Sequence, residues 1–228
     1  MSSRRLSTGG KPPVQIREEY IIEEAPSHDG TPCFTAWIKP GIVEVPQGWS
    51  ASDFPVADER PQCSLQIYDT TPQSDDAEHL RSLARALHRE TREERESYGR
   101  GAPDRIDVWG MPLSVDVSDE ERVAKCKGHS LAEAASRNTA ENPGFSIPRL
   151  CIRERWQRGI VIIDRTRELW NEEEGGFLVA YWDSHPTYLK QTAQSYGKDH
   201  ASDSHMVRYS RDELGGVFAN MRTGIESL

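Results

Sequence analysis

Two short, continuous apolar runs constrain the fold of this 228-residue chain more than any other feature. They are "GIVII" at 159–163 and "GFLVAYW" at 176–182, and the polar segment 165–175 joins them. Each run is far shorter than the roughly 18 residues that a membrane span requires. Short apolar runs bounded by glycine are typical of strands buried on both faces of a sheet. The sequence therefore predicts two interior strands and no membrane span.

Other strand-like segments follow one another along the chain more often than they alternate with helices. Period-two alternation or apolar character predicts strands at "CFTAWIK" (33–39), "CSLQIYD" (63–69), "DRIDVWG" (104–110), "PLSVDV" (112–117) and "MVRY" (206–209). The first is expected to end at the Pro40-Gly41 turn pair. Strands in consecutive runs favour an α+β fold with a mixed, largely antiparallel sheet and packed helices.

A helix is predicted after Thr71-Pro72, because small and apolar residues recur there at spacings of three and four. The stripe consists of Ala77, Leu80, Leu83, Ala84 and Leu87. Three further helix starts fit the Ser-x-x-Glu capping pattern, in which hydroxyl and carboxylate each satisfy an exposed backbone N–H. These pairs are Ser118 with Glu121, Ser130 with Glu133, and Ser210 with Glu213; Gly128 and Asn138 are the expected ends of the first two helices.

The predicted domain organisation is a flexible tail followed by one folded unit. Residues 1–13 are rich in Ser, Gly, Pro and Lys and offer little to bury, so a tail is expected there. Residues 14–228 are expected to form a single α+β domain, with a division into two subdomains near 99–104 left open.

The charge balance and the cysteines indicate the compartment and the partners. The net charge is −9, from 37 acidic and 28 basic residues, which disfavours nucleic acid or an anionic membrane as a partner and favours a basic protein. Four cysteines show no C-x-x-C pair, which predicts reduced thiols without disulfides. No apolar leader follows the N-terminal Arg-Arg pair, so a soluble cytoplasmic protein is expected.

The segment "KDHASDSHMVRYS" (198–210) is the densest local group of ligating residues in the sequence. His200, Asp203 and His205, joined by His185, could in principle hold zinc or iron or support metal-assisted hydrolysis. The two histidines of the segment differ by five positions, which matches neither the i, i+4 spacing of a helix face nor a knuckle. Turn and capping chemistry is therefore the preferred interpretation, and no metal or other cofactor is predicted.

A nucleophilic site is not predicted either. "CKGH" (126–129) places a thiol near an imidazole, but the chain contains no G-x-S-x-G elbow and no glycine-rich phosphate loop. Cys126 is therefore expected to be buried as a small hydrophobic residue.

Two candidate contact surfaces remain. Arg81, Arg85, Arg89 and Arg92 line one strip of the first helix and could bind phosphates or an acidic surface, although nearby glutamates dilute their charge. Trp170 lies beside Glu172, Glu173 and Glu174 with few apolar neighbours in sequence, which makes it a candidate exposed contact for a basic protein, with a packed hairpin tip as the alternative.

The leading functional hypothesis is a non-catalytic protein that binds another macromolecule in an accessory, inhibitory or structural role. A hydrolytic or metal-assisted enzyme using the histidine segment is the first alternative. Nucleic-acid or phosphate binding through the arginine strip is the second, and self-association stays open.

Overall fold

A computed structural model describes residues 3–8, 11–50, 53, 64–92, 105–141, 159–171, 176–181, 205–214 and 217. These residues form one eight-stranded sheet and two α-helices. The strands are β1 (Ser3–Thr8), β2 (Lys11–Glu24), β3 (Cys33–Glu44), β4 (Ser64–Asp69), β5 (Arg105–Gly110), β6 (Gly159–Ile163), β7 (Phe177–Tyr181) and β8 (His205–Tyr209). The helices are α1 (Ala77–Glu90) and α2 (Asp119–Glu141).

The sheet has the order β1-β2-β3-β5-β4-β6-β7-β8. The three central strands, β5, β4 and β6, are parallel to one another, and the remaining neighbours pair antiparallel. The predicted α+β fold with a mixed, largely antiparallel sheet is thus confirmed. Both apolar runs of the sequence lie in interior strands, β6 and β7, whose side chains are almost all buried.

The central parallel strands are connected through helices that pack on opposite faces of the sheet. α1 follows β4 and buries Leu80, Leu83 and Leu87 against one face. α2 follows β5 and places Val123 and Cys126 against the other face. Since the chain leaves two neighbouring parallel strands toward opposite faces, a crevice forms outside their carboxyl ends, where α/β sheets commonly hold ligands.

The predicted stripe of α1 is confirmed from Leu80 onward, but the helix begins later than expected. Its N-cap is Asp76, whose carboxylate accepts hydrogen bonds from the N–H groups of Glu78 and His79. The segment from Thr71 to Asp75 forms a bend and turn before it. Ala77 is exposed in the first turn rather than part of the buried stripe.

Several local predictions are wrong. Residues 3–8 and 11–13 belong to β1 and β2 instead of a flexible tail, because backbone pairing orders an edge that composition alone does not reveal. "PLSVDV" lies in a connection that includes a turn. β3 continues through Pro40 to Glu44, past the predicted end. Among the described strands only β2 pairs with this part of β3, since the pairing with β5 ends at Trp37. The missing N–H of Pro40 therefore breaks no hydrogen bond to β5.

The second helix differs most from its prediction. Ser118 caps its start, since its hydroxyl accepts a hydrogen bond from the N–H of Glu121. Ser130 and Glu133, however, are buried in the middle of α2, and both Gly128 and Asn138 lie inside the helix. The capping box of Ser210 and Glu213 is present and opens the short 3₁₀ turn Arg211–Glu213.

The strands on both sides of 99–104 pair within one sheet, because β5 lies between β3 and β4. The segment 99–104 itself lies outside the described residues, so a division into subdomains stays a prediction. Within the described ranges, neither helix combines the length and the apolar character needed to cross a bilayer.

Candidate metal centre

The loop between β2 and β3 carries two potential ligands, His28 and Asp29. Its base is closed by a hydrogen bond from the Ala25 N–H to the Cys33 carbonyl, 2.9 Å long. Asp29 Oδ1 accepts a hydrogen bond from the Thr31 N–H at 2.9 Å, and Gly30 between them has φ +85°. That backbone conformation favours glycine, so "HDGT" is a local sequence suited to this tight turn.

The second pair of ligands, His129 and Glu133, comes from α2. The two residues are four positions apart, so they lie on the same side of the helix. This side faces the sheet, and both side chains are buried. The His129 ring packs between two strand aromatics, with its centroid 4.9 Å from that of Trp109 and 5.6 Å from that of Tyr68. Packing by β4 and β5 therefore fixes the orientation of the imidazole.

The loop and the helix bring these four side chains together into one group. One ligand atom from each of His28, Asp29, His129 and Glu133 lies within 4.8 Å of all the others. Four ligands about 2.0–2.2 Å from a tetrahedral ion lie about 3.4 Å from one another, so the farthest pair would have to approach by up to about 1.4 Å to enclose an ion. We call this group the His–carboxylate cluster.

Direct contacts within the cluster join the loop to the helix. The Nδ1 of His28 lies 2.5 Å from Glu133 Oε1, and the backbone N–H of His28 donates to the same oxygen, also at 2.5 Å. Glu133 is thereby held by the loop, and its carboxylate is directed toward the two imidazoles.

His129 provides the strongest indication of a ligand. The residue is 8% exposed, and its buried Nε2 makes no hydrogen bond of ordinary geometry with any described residue; Asp29 Oδ1, 3.5 Å away, is a long ion-pair contact. Leaving a buried polar atom unsatisfied costs about 1–3 kcal/mol, so native proteins rarely keep one without a reason. Coordination of a metal ion by Nε2 would satisfy it.

The other ring nitrogen of His129 has a partner of the kind that supports metal ligands. Nδ1 lies 2.9 Å from the Tyr68 hydroxyl oxygen. When Nδ1 carries the proton and donates it to that oxygen, the lone pair of Nε2 faces the cluster. Burial raises the pKa of Tyr68 well above its usual value, so the phenol stays neutral and imposes no charge on the imidazole.

The protonation states of the cluster suit a cation. Burial lowers the pKa of His129, although the Asp29 and Glu133 carboxylates oppose this, so the ring is neutral near pH 7. Desolvation raises the pKa of Asp29, but hydrogen bonds from Thr31 and the charges of His129 and His28 outweigh it. The pKa of Asp29 thus ends well below its usual value. A neutral imidazole and an ionised carboxylate are the forms that bind metals.

The cluster is buried on one side and open on the other. Glu133 and His129 are buried, whereas the side chains of His28 and Asp29 are 27% and 45% exposed. An ion held by all four side chains would therefore lie close to solvent, and a water molecule would bind it only as a fifth ligand or in place of an exposed side chain.

A buried polar network lies on the same face of the sheet. The indole N–H of Trp109 donates to Gln66 Oε1 at 2.6 Å, and Gln66 Nε2 donates to Asp107 Oδ2 at 3.1 Å. Asp107 also accepts from the Thr35 hydroxyl and from Arg105. This network holds the ring of Trp109, against which His129 packs.

The histidine segment singled out in the sequence falls largely outside the described residues. His185, His200 and Asp203 are not described, and the structure places only the backbone of His205, at the start of β8 opposite Tyr181. The metal and hydrolytic hypotheses for that segment stay predictions.

The predicted arginine strip is exposed at Arg81, Arg85 and Arg89, but the sheet engages much of it. Arg81 lies over the Phe34 ring, Arg89 lies over the Tyr20 ring, and Arg92 pairs with Glu18 at 2.6 Å. These guanidinium groups thus also help to hold α1 against β2 and β3.

The expectation that Trp170 is an exposed contact is wrong. Its side chain is buried, with 3% of the residue exposed, and its ring packs 4.8 Å from that of Phe177. The 3₁₀ turn Arg167–Leu169 folds the loop back onto β7, and the indole N–H donates to the Arg165 carbonyl. Glu172, Glu173 and Glu174 lie outside the described residues.

Sequence reasoning missed the cluster for two reasons. It assigned His129 and Glu133 to different elements, one to a thiol–imidazole pair and the other to a cap, although both lie in α2. It also gave no weight to "HDGT", which lies about a hundred positions earlier in the chain. The i, i+4 spacing of His129 and Glu133 was the available signal. Cys126, predicted as buried, is confirmed as such, and burial raises the pKa of its thiol to about 12.

No protein family, curated protein or solved structure matches this chain. The chemistry of the cluster therefore carries the functional inference by itself.

Proposed function

We propose that the protein binds one divalent transition-metal ion at the His–carboxylate cluster. The observation that carries this proposal is the buried Nε2 of His129, which lacks a hydrogen bond among the described residues and faces a group with two carboxylates. Two imidazoles and two carboxylates suit Zn²⁺, Fe²⁺ or Mn²⁺, whereas a site for Mg²⁺ or Ca²⁺ would consist of oxygen ligands.

The ion would have both a structural and a chemical effect. Ligands from the β2–β3 loop and from α2 would be joined through it, so metal binding would stabilise the fold by mass action. A water molecule would bind the ion as a fifth ligand or in place of an exposed side chain, and the pKa of that water would fall. Metal-assisted hydrolysis is thus the chemistry that the open side favours.

The test is titration of metal-stripped protein with Zn²⁺ by calorimetry, together with elemental analysis and thermal unfolding. We expect one ion per chain and, at a free concentration 100 times the dissociation constant, stabilisation by about 2.7 kcal/mol. Glu133→Gln and Asp29→Asn should weaken binding at least tenfold. Asp29→Asn is the safer variant for folding, because the amide oxygen can still accept from Thr31.

Asp116→Asn is the matched control, since Asp116 is exposed in the turn before α2 and outside the cluster. It should bind zinc like the unmodified chain. Zinc binding that Glu133→Gln and Asp29→Asn leave unchanged would refute the proposal. If His200→Ala with His205→Ala abolished binding instead, the ion would belong to the C-terminal histidine segment.

Binding of another macromolecule, the leading hypothesis from the sequence, stays a prediction. Its anchor at Trp170 is withdrawn because that side chain is buried. The exposed arginines of α1 are what supports it among the described residues.

A further inference from the structure

A second site lies in the crevice at the carboxyl ends of the central strands. A cavity of about 230 Å³ opens there, between the segments that follow β4, β5 and β6 and the first turn of α2. The chain diverges to opposite faces at this edge, which is where α/β sheets characteristically bind ligands. The cavity shares no side chain with the His–carboxylate cluster, so it is a separate site with its own lining residues.

The wall of this cavity has an excess of positive charge. Three guanidinium groups, those of Arg122, Arg165 and Arg208, face two carboxylates, those of Asp119 and Asp164. Arg208 pairs with both carboxylates, at 2.7 Å from Asp164 and 2.8 Å from Asp119. The lining groups thus carry three positive and two negative formal charges, and Arg165 also interacts outside this set.

Arg122 is held rigidly at the cavity. It is 4% exposed, and its Nη1 donates to the Thr70 hydroxyl at 2.6 Å, while that hydroxyl donates to the Ile163 carbonyl at 3.0 Å. The buried Nε of Arg122 makes no hydrogen bond with any described residue, and Asp164 Oδ2 lies 4.0 Å from it. The Nη2 of Arg122 donates to the Ser114 and Val117 carbonyls, so the guanidinium is fixed in place and offers an oxyanion its charge more than a free pair of donors.

The lining also includes apolar side chains, although most of its accessible surface is polar. Pro72, Leu113 and Val115 are among these side chains, and Val115 is highly exposed, so the cavity opens toward solvent beside hydrophobic side chains. Its volume is below the roughly 300–1,000 Å³ of pockets for drug-sized ligands. This size suits a small acid.

We propose that this cavity binds a small organic anion, with its carboxylate or phosphate group on the guanidinium groups and its carbon skeleton against Pro72 and Leu113. Arg122 and Arg208 would position the anion, and Arg165 would lie at the rim. The competing explanation is a purely structural ion-pair network that ties α2 to β6 and β8.

The proposal is tested on the full chain at fixed ionic strength, with inorganic phosphate and acetate as probes, and phenyl phosphate and benzoate to add a ring. NMR would follow the Nε–H resonances of the arginines during each titration. We expect at least one of these probes to shift the resonances saturably. Within its class, phosphate or carboxylate, the probe that carries a ring should bind more tightly. The relative affinities for phosphate and carboxylate probes identify the head group.

Arg165→Gln should weaken binding of the preferred probe at least fivefold, because it removes a positive charge at the rim of the cavity. The Arg165 side chain is 32% exposed. Lys125→Gln is the matched control, since it removes the same charge from the solvent-facing side of α2 near Arg122 and should change affinity less than twofold. Arg208→Lys tests the forked geometry and should also weaken binding. Linear, non-saturating shifts in the unmodified chain, or equal losses in the Arg165 and Lys125 variants, would overturn the proposal.

Discussion

Replacement of Asp107 by asparagine is expected to destabilise the protein strongly. The carboxylate is fully buried and accepts four hydrogen bonds, from the Thr35 hydroxyl at 2.7 Å, Gln66 Nε2 at 3.1 Å, and Arg105 Nε and Nη2 at 2.8 and 3.1 Å. Asparagine has nearly the same volume, but its NH₂ group would face donors, and Arg105 would lose its counterion while buried.

Breaking one partner of a buried ion pair costs about 3–5 kcal/mol. Since domains are stable by only about 5–15 kcal/mol, Asp107→Asn would remove a large part of the free energy of unfolding. Urea unfolding followed by circular dichroism measures this loss. Asp116→Asn, at an exposed turn, serves as the control and should change stability by less than about 0.5 kcal/mol.

The same loss should depend on pH. Burial alone would raise the pKa of Asp107, but the Arg105 charge and the hydrogen bonds from Thr35, Arg105 and Gln66 hold it below its usual value. The ionised carboxylate therefore stabilises the fold fully above the unfolded pKa of about 3.9, and this stabilisation is lost as pH falls through the lower folded pKa. The difference between the unmodified chain and Asp107→Asn should shrink below about pH 4. A difference under about 1 kcal/mol at pH 7 would refute the reasoning.

Two further predictions concern packing around the sites. Gly110→Ala would place its Cβ 1.9 Å from the Ser74 carbonyl oxygen and 2.7 Å from Leu80 Cδ1. It should cost about 1–3 kcal/mol in urea unfolding, whereas Gly128→Ala, exposed inside α2 with no described atom within 4 Å of the new Cβ, should gain about 0.5–1 kcal/mol. Equal effects of the two substitutions would contradict the packing around Gly110. Cys126 should resist thiol reagents at pH 7 until the chain unfolds, because its pKa is raised to about 12; modification of its peptide in the native state, detected by mass spectrometry, would contradict this.

The sequence was informative where side-chain burial alone decides the structure. The stripe from Leu80 to Leu87 and the apolar run Gly159–Ile163 predicted a helix and an interior strand, because periodicity reports which faces meet the core. The α+β class followed from the order of these elements. Ser118 predicted a helix start because its cap is a local hydrogen bond.

Features that depend on distant partners could not be found in this way. Ser130 and Glu133 match a cap pattern, yet they lie inside a helix whose buried face packs on the sheet, and tertiary burial outweighs a local signal. Within the polar segment 164–176, Leu169 is the one other apolar residue near Trp170. The ring of Phe177 nevertheless packs against that of Trp170 across the turn. His28 and Glu133 lie 105 positions apart in the chain, and no spacing rule links two such segments.

α2 carries Arg122 near its start and His129 two turns later on the same buried side, about 10.5 Å apart along the axis. One helix therefore contributes a side chain to each of the two proposed binding sites. If an ion at His129 displaces α2, it alters the crevice around Arg122 and changes the affinity for an anion there. Thermodynamic linkage then requires that the anion change the affinity for zinc by the same factor. Cooperation between two dissimilar ligands would then need no moving domain, only a slight tilt of one helix.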